Sequence, residues 1–418
     1  MRATRRRSPR VSCPEARSPG APRMILTVGA VAAGGACVAR DPEGRVVFVR
    51  HALPGETVRV VVTSSGSTFL RADAVEVLSA SPDRVTPVCP FAGPGRCGGC
   101  DWQHASASAQ LAFKTSLVQE QLSRVGAFWW DGTVEAVEPL LGWRTRVQWA
   151  VSPSGVPGLH RHRSRDLELV SSCAIAAPGV RVPLGRDWSG SRTVEAFSVA
   201  GQTVLSVDGR PRSLPSTGPA GVVVDGRPVR APHGVRVPVL GRSFEISGGR
   251  FWQVHPQAAV VLASAVLSGL SPVAGESVLD LYSGVGLFAS LLGQAVGPTG
   301  SVVAVEGDAR ACADAARNTA DQPWVSVRTS RVEAGWVAGQ RPDLVVLDPP
   351  RAGVGLELSA TLAGRRPRAL AYVSCDPATF ARDLRVFLDA SWAVDSLRAF
   401  DLYPQTEHVE LVSVLTPP

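Results

Sequence analysis

Val278-Leu-Asp-Leu-Tyr-Ser-Gly-Val-Gly286 decides how the C-terminal part of this chain folds. Val278 to Leu281 has the length and apolarity of a buried strand, and the glycines behind it mark a tight turn into a helix over Phe288 to Gln294. The pairing recurs downstream. Val302-Val-Ala-Val305 reads as a strand and Ala309 to Asn318 as a helix, while Leu344-Val-Val-Leu347 and Ala369-Leu-Ala-Tyr-Val373 are two more strands. Strands alternating with helices predict an α/β fold, a Rossmann-like, doubly wound and mainly parallel sheet, over residues 243–418. Sheets of this kind take ligands beyond the carboxyl ends of their strands.

Those ends carry the chemistry. Gly284 and its neighbour Gly286 let a backbone approach a ligand closely. Glu306, just past the second strand, can accept both hydroxyls of a ribose. This much serves either NAD or S-adenosylmethionine. A pyrophosphate cradle expects a third glycine where Ala289 stands. The third strand ends in Asp348-Pro-Pro-Arg351, which resembles the (D/N)PP signature of methyltransferases acting on planar nitrogen or carbon centres, and this favours S-adenosylmethionine.

The fourth strand ends on Cys375, and the chain turns at once through Asp376-Pro377. A cysteine within a strand is a small hydrophobe, but one at a strand end is placed to be reached. A thiolate beside a methyl donor has one well-motivated use. Uracil C5 is a poor nucleophile, and adding a thiolate to C6 makes C5 enolate-like, able to attack a sulfonium methyl. A base must then remove the C5 proton. Tyr403-Pro-Gln-Thr-Glu-His-Val-Glu410 offers candidates. Glu410 enters a β-like closing strand; Glu407 and His408 are rivals, and alternation places His408 on the face of Glu410 and Glu407 off it.

Residues 24–80 read differently. Short strands such as Glu56-Thr-Val-Arg-Val-Val-Val62 alternate with turns at Pro42-Glu43-Gly44 and Pro54-Gly55, which predicts a small β-barrel of the oligonucleotide-binding kind. Residues 81–242 form a less regular, mixed and mainly β central domain with one helix over Ala107 to Val125. This domain carries Cys89, Cys97, Cys100 and, much later, Cys173. Three clustered cysteines and a distant fourth fit zinc or an iron–sulfur cluster equally by spacing. Cys13, Cys37 and Cys312 read as bystanders.

Together these motifs resemble the RNA uracil-5-methyltransferase family. The resemblance lies in Gly35-Ala-Cys-Val-Ala-Arg40 and Val47-Phe-Val-Arg-His-Ala-Leu-Pro-Gly-Glu56, which look like the TRAM barrel, and in Phe251-Trp-Gln-Val-His255, Leu279 to Gly286, Asp348 to Gly353, Val373-Ser-Cys-Asp-Pro-Ala-Thr379 and Pro404 to Glu410. It covers nearly the whole chain. It implies Cys375 as nucleophile and Glu410 as base, with Gln253, Tyr282, Glu306 and Asp348 lining the cofactor and target-base sites. It implies a [4Fe–4S] cluster on Cys89, Cys97, Cys100 and Cys173, as in the rRNA branch, and so 23S rRNA as target ahead of tRNA. The family usually has asparagine where His255 stands, and often near Leu287 and Arg331.

Composition agrees with such a partner. The chain has 418 residues, 45% hydrophobic and 19% charged, with a formal charge of +7, as suits a globular protein that meets a polyanion. Of its 43 basic residues Lys114 alone is a lysine, a bias that fits a GC-rich genome. Residues 1–23 read as a disordered arginine-rich tail. Arg5-Arg6-Arg7 ahead of Met24 to Val38 could pass for an export signal with Cys37 in a lipobox, but glycines break the segment and strands follow it. No run reaches the roughly 18 apolar residues of a membrane span. The expectation is a cytoplasmic monomer that binds RNA, with no DNA or membrane partner. Two rivals are a non-catalytic RNA-binding or ribosome-assembly factor, which an intact Cys375 and Glu410 argue against, and an amino-group methyltransferase, supported by Asp348-Pro-Pro alone.

Overall fold

The structure, a computed structural model, describes residues 23–212, 214 and 220–418. The tail expected over residues 1–23, Arg23 apart, and Cys13 lie outside the described residues. By their contacts the residues fall into two units: Met1–Gln110 with Leu159–Glu168 and Gln405–Glu407, and Leu111–Gly158 with Leu169–Pro404 and His408–Pro418.

The first unit is built on a six-stranded sheet of β1 (Arg23–Thr27), β2 (Val31–Ala32), β3 (Ala36–Arg40), β4 (Val46–Arg50), β5 (Thr57–Ser65) and β6 (Phe69–Ser79), in the order β1-β5-β6-β4-β3-β2. It closes on itself where Gly29 N donates to Val38 O at 2.7 Å and Val38 N donates to Ala30 O at 2.9 Å. Alternation drives the closure: Val47 and Val49, Val58 and Val60, Leu70 and Ala72 all point into one core. In the turn at Pro54-Gly55-Glu56, the Glu56 carboxylate is wholly buried and accepts from Leu53 N at 2.8 Å and from Arg84 at 2.5 Å, so this phrase is a structural corner.

Residues 405–407 belong to this unit by specific hydrogen bonds. Asp101 N and Trp102 N both donate to Gln405 O, at 2.9 and 3.0 Å, and Gln405 N donates to Gln110 Oε1 at 2.9 Å. Gln110 lies in the first turn of α1 (Ala107–Arg124).

The second unit holds the remaining elements, apart from the part of a hairpin over residues 159–168 that falls in the first. After β7 (Val134–Ala136), β8 (Arg146–Val151) and the hairpin of β9 (Pro157–His160) and β10 (Leu167–Glu168) come β11 (Ser191–Val199), β12 (Gln202–Gly209), β13 (Gly221–Val224) and β14 (Arg227–Arg230). Strands β8, β11, β12, β13 and β14 lie side by side in that order, and β15 (Gly234–Val239) pairs with β16 (Arg242–Ser247).

Then the alternation begins: α2 (Ala258–Leu270), β17 (Ser277–Leu281), α3 (Leu287–Val296), β18 (Ser301–Glu306), α4 (Ala309–Asn318), β19 (Val325–Thr329), α5 (Ala334–Val337), β20 (Leu344–Leu347), α6 (Leu356–Arg365), β21 (Ala369–Ser374), α7 (Pro377–Asp389), β22 (Ala393–Asp401) and β23 (Glu410–Thr416). Their sheet runs β19-β18-β17-β20-β21-β23-β22-β7. Strands β17 to β21 are parallel, β23 is antiparallel to both its neighbours, and apolar cores lie on both faces. The strand order reverses direction at β17, so the crevice above β17 and β20 is where such a sheet takes a ligand. The α/β expectation stands, and so does the N-terminal barrel.

Candidate active site

Beyond β17 the chain makes a strained turn. Tyr282, at φ 66°, and Gly284 and Gly286, at 55° and 86°, are all left-handed, and Tyr282 N and Ser283 N both donate to Val305 O at 3.0 and 3.1 Å. Gly286 is a packing glycine, since a Cβ there would meet Ala315 at 3.1 Å. Gly284 is open: nothing lies within 4 Å of where its Cβ would be. Its N–H donates to Glu306 Oε2 at 3.0 Å, while Glu306 Oε1 accepts from Asp308 N at 2.7 Å. The carboxylate is thereby oriented with one lone-pair position left on each oxygen.

Asp280 was not singled out from the sequence, because it hides inside an apolar strand. Its side chain is wholly buried; Oδ2 accepts from Ala289 N at 2.8 Å and Oδ1 has no hydrogen-bond partner among the described residues. Burial pushes its carboxyl up to about 8, with Asp348 and Glu306 adding to the rise and the Ala289 hydrogen bond opposing it. Ser283 Oγ is likewise buried, with no hydrogen-bond partner among the described residues. Two orphaned polar atoms beside an open glycine are what a ligand-accepting turn looks like before the ligand arrives.

Asp348 follows β20, half-buried, and desolvation pushes it up to about 7. The fourth strand delivers Cys375. Asp376 then caps α7, its Oδ1 accepting from Ala378 N at 3.0 Å and Thr379 N at 2.9 Å, with Pro377 opening the helix. The cap fixes the backbone that carries the thiol. The last pairs of β23 are Ser374↔Leu411 on one side and Phe400↔Glu410 on the other, so one further step of register sets Cys375 against Glu410. Burial first, and then the Glu410 charge, push the Cys375 thiol up to about 12, while the Arg351 guanidinium pulls the other way.

Glu410 is 3% exposed, and its Oε2 has no hydrogen-bond partner among the described residues. Burial first, and then Asp348, hold its carboxyl well above the usual range, against a hydrogen bond from Tyr403 and the charge of Arg351. Neither rival base stands free for the task. Glu407 accepts from Gly34 N, and its own N–H donates to Asp101 Oδ2 at 3.2 Å. Burial and then Arg351 push His408 down to about 4, and its Nε2 accepts from Arg351 at 3.1 Å. Neither lies in a strand, because β23 starts only at Glu410, so strand alternation does not extend to them.

Cys375, Glu410, Asp348, Tyr403 and Arg351 thus share one rim, next to Tyr282, Gly284 and Glu306. Gln253 is buried in the loop before α2, and its side chain hydrogen-bonds to none of these groups among the described residues. His255, where the resemblance implies asparagine as the usual residue, is a satisfied core side chain. Its Nδ1 accepts from Gln257 N at 3.2 Å, its Nε2 faces Pro139 O at 3.3 Å, and its ring stacks on Trp143. Leu287 is buried and Arg331 exposed.

In the first unit Gln103 reaches two of the expected ligand cysteines: its Oε1 accepts from Cys89 N at 3.0 Å and its Nε2 donates to Cys100 Sγ at 3.3 Å. Cys89, Cys97, Cys100 and Cys173 are all half-buried. Among the described residues, however, no group of three or more His, Cys, Asp or Glu side chains is placed to hold a metal ion. Four thiols are nevertheless the donor chemistry that an iron–sulfur cluster or zinc takes. Cys37 and Cys312 are buried and donate to Ala52 O and Glu306 O, at 3.3 and 3.4 Å, as bystanders do.

The raised carboxyls predict an unusual pH response. Asp280 binds its proton more tightly folded than unfolded, so between its ordinary value, 3.8, and about 8 it makes stability fall as pH rises. Asp280→Asn removes that share. The fall in melting temperature of the ligand-free protein between about pH 6 and about pH 8 should shrink by a few degrees in the variant. An unchanged difference in calorimetric melting temperature would show that Asp280 is not protonated in the folded chain.

Comparison with known proteins bears on the same residues. Residues 24–75 match the model of the TRAM domain, and residues 327–416, which include Asp348, Cys375 and Glu410, match that of tRNA (Uracil-5-)-methyltransferase. A protein of Streptomyces avermitilis described as an uncharacterised RNA methyltransferase is 46% identical, covering 94% of this chain and 98% of its own. One of Corynebacterium efficiens, described in the same words, is 36% identical over 89% of this chain and 90% of its own. Among solved structures, the tRNA (uracil-54, C5)-methyltransferase of Pyrococcus abyssi in complex with S-adenosyl-L-homocysteine has the same fold, with a TM-score of 0.74 at 23% identity over 94% of this chain and 99% of that one.

Proposed function

We infer that this chain, which belongs to the RNA uracil-5-methyltransferase family, methylates C5 of a uridine through a covalent bond from Cys375 to C6. The observation that carries the reading is the register of β21, β23 and β22, which sets a thiol and a buried carboxyl side by side at the rim of the sheet. S-adenosylmethionine, when bound, supplies an electrophilic methyl group on a positively charged sulfur. Asp280, Gly284 and Glu306 hold its end of the crevice: the open Gly284 admits it, and Glu306 is oriented for its ribose. Tyr282, Asp348 and Gln253 line the rest.

The Cys375 thiolate forms the bond to C6, and the electron pair of the C5=C6 bond becomes available at C5 for the incoming methyl. Glu410, as carboxylate, then takes the C5 proton. The C5–H electrons restore the double bond and expel the thiolate. Arg351 favours both charged forms, since it pulls the pKa of Cys375 and of Glu410 down. Cofactor binding brings a further positive charge, which lowers the thiol in the same direction.

For the target we put 23S rRNA first, on the likeness of the cysteine layout to the rRNA branch. A tRNA is the second reading, favoured by the match of residues 327–416 to the tRNA (Uracil-5-)-methyltransferase model and by the likeness of the Pyrococcus abyssi fold over 94% of this chain. Residues 24–80 serve as RNA-binding barrel, 81–242 carry the cysteines and 243–418 the catalysis, in a cytoplasmic monomer. Among the described residues no helix is long and apolar enough to cross a membrane. Cys89, Cys97, Cys100 and Cys173 are proposed as ligands of a [4Fe–4S] cluster, with zinc as the alternative; no step of the reaction is assigned to it.

The test is chemical. Protein purified anaerobically is incubated with S-adenosylmethionine and either rRNA or tRNA, and the nucleosides are separated by mass. The expected product is 5-methyluridine, in rRNA. N6-methyladenosine in its place would sink the reading, and 5-methyluridine in tRNA alone would move the target. Metal analysis of the same protein should find iron; stoichiometric zinc without iron would exclude the cluster.

A further inference from the structure

Lys114 stands apart from every other basic residue of the chain. It is the one lysine, and its side chain is wholly buried. Its Nζ donates to Asp401 Oδ1 at 2.5 Å and to Tyr403 O at 3.1 Å, and the same Asp401 oxygen accepts from Tyr403 N at 3.2 Å. Asp401, itself 2% exposed, is the last residue of β22. The lysine therefore grips the chain where it leaves the sheet, and fixes the backbone of Tyr403 from both its N–H and its carbonyl. Tyr403 hydrogen-bonds to the side chain of Glu410, and the Phe400↔Glu410 pair closes the other side of the loop. Trp143 and His408 meet the Tyr403 ring edge to face, with centroids at 6.1 and 5.9 Å, and hold its plane.

A buried ion pair of this kind is weak as a source of stability, because desolvating two charges offsets most of their attraction. What it supplies is geometry. A compact ammonium reaches two oxygens on one short segment from a single nitrogen, whereas a planar guanidinium would have to seat five donors in the same space. We propose that Lys114 is a positioning residue for proton abstraction, acting through Asp401 and Tyr403 on Glu410. The proposal rests on the assignment of Glu410 as the base.

The loss of this support should show in one step of the reaction and not in the others. The Tyr403 hydrogen bond favours the charged carboxylate, against the burial that disfavours it. Without it, the pH at which Glu410 becomes a carboxylate moves up, and release of the methylated product, which needs the carboxylate, moves up with it. The other charged or titratable groups facing Glu410 are Asp348 and Arg351 beyond β20 and Cys375 beyond β21; these stay in place in the variants below.

The experiment compares Lys114→Met paired with Asp401→Asn, which leaves no buried charge unpaired, with Tyr403→Phe, Lys114→Arg and, as control, Glu410→Gln. Each is mixed with RNA and methyl-labelled S-adenosylmethionine, and adduct formation and release are followed separately on denaturing gels across pH. The double variant and Tyr403→Phe should form the adduct at near the wild-type rate but release product about tenfold more slowly, with the midpoint of release shifted to higher pH. Lys114→Arg should fall between. Release at wild-type rate and midpoint in Tyr403→Phe, or equal slowing of formation and release in the double variant, would overturn the proposal while Glu410→Gln still accumulates adduct. If Glu410→Gln releases product normally, the assignment of Glu410 fails first and takes this proposal with it.

Discussion

Cys375→Ala should leave a folded protein that neither methylates RNA nor forms a bond to it, with turnover lowered by at least about three orders of magnitude. The expectation follows from what the rim lacks as much as from what it holds. Asp348 and Glu410 are carboxyls pushed up by burial, and His408 is neutral and engaged with Arg351, so none of them replaces a thiolate at C6. The side chain is only half-buried and caps no helix, since Asp376 does that, so the loss of the sulfur should cost little stability. Two measurements check it: transfer of labelled methyl to RNA, and trapping on RNA that carries 5-fluorouridine. Fluorine cannot leave as a cation, so the wild type should remain bonded to such RNA and the variant should not. Methylation by Cys375→Ala, or a wild type that fluorinated RNA never traps, would show that no covalent step exists.

Glu410→Gln should give the opposite signature. The amide keeps the shape of the side chain but cannot take a proton. Bond formation at C6 and methyl transfer continue, while removal of the C5 proton slows by about 10²–10⁴-fold. A methylated protein–RNA adduct then accumulates and survives denaturation. It should disappear when Cys375→Ala is added to the same chain. Folding should not suffer, because the wild-type carboxyl is held above its usual range and its Oε2 has no hydrogen-bond partner among the described residues. Rapid release of product by Glu410→Gln would mean that another group, or solvent, takes the proton.

The strands that carry this site were legible as elements. The runs at Leu344–Leu347 and Ala309–Asn318 are the observed β20 and α4 to the residue, because short apolar strands and an amphipathic helix announce themselves locally. Their neighbours in space were not. Nothing local says that β23 inserts between β21 and β22, yet that insertion is what brings Glu410 to Cys375. Alternation was no guide to the three candidate bases. It treated residues 407–410 as strand, whereas the actual discriminants are the partners of Glu407 and His408, each supplied from a distant part of the sequence. Asp280 escaped notice because a carboxylate inside an apolar strand looks like noise until its burial is known. Lys114 and Asp401 are 287 positions apart, and a pairing over that distance leaves no periodic trace.

A chain with one lysine, and that one wholly buried, has a practical consequence. Amine-directed reagents find a single side-chain target here, and it is out of reach while α1 and the end of β22 stay together. The rate at which Lys114 acquires a label therefore clocks the opening of that contact, with no engineered probe and with little background from other side chains. If closing the crevice on RNA and cofactor tightens the loop that Lys114 holds, labelling should slow when both are bound, and mass spectrometry of one tryptic-resistant peptide would read it.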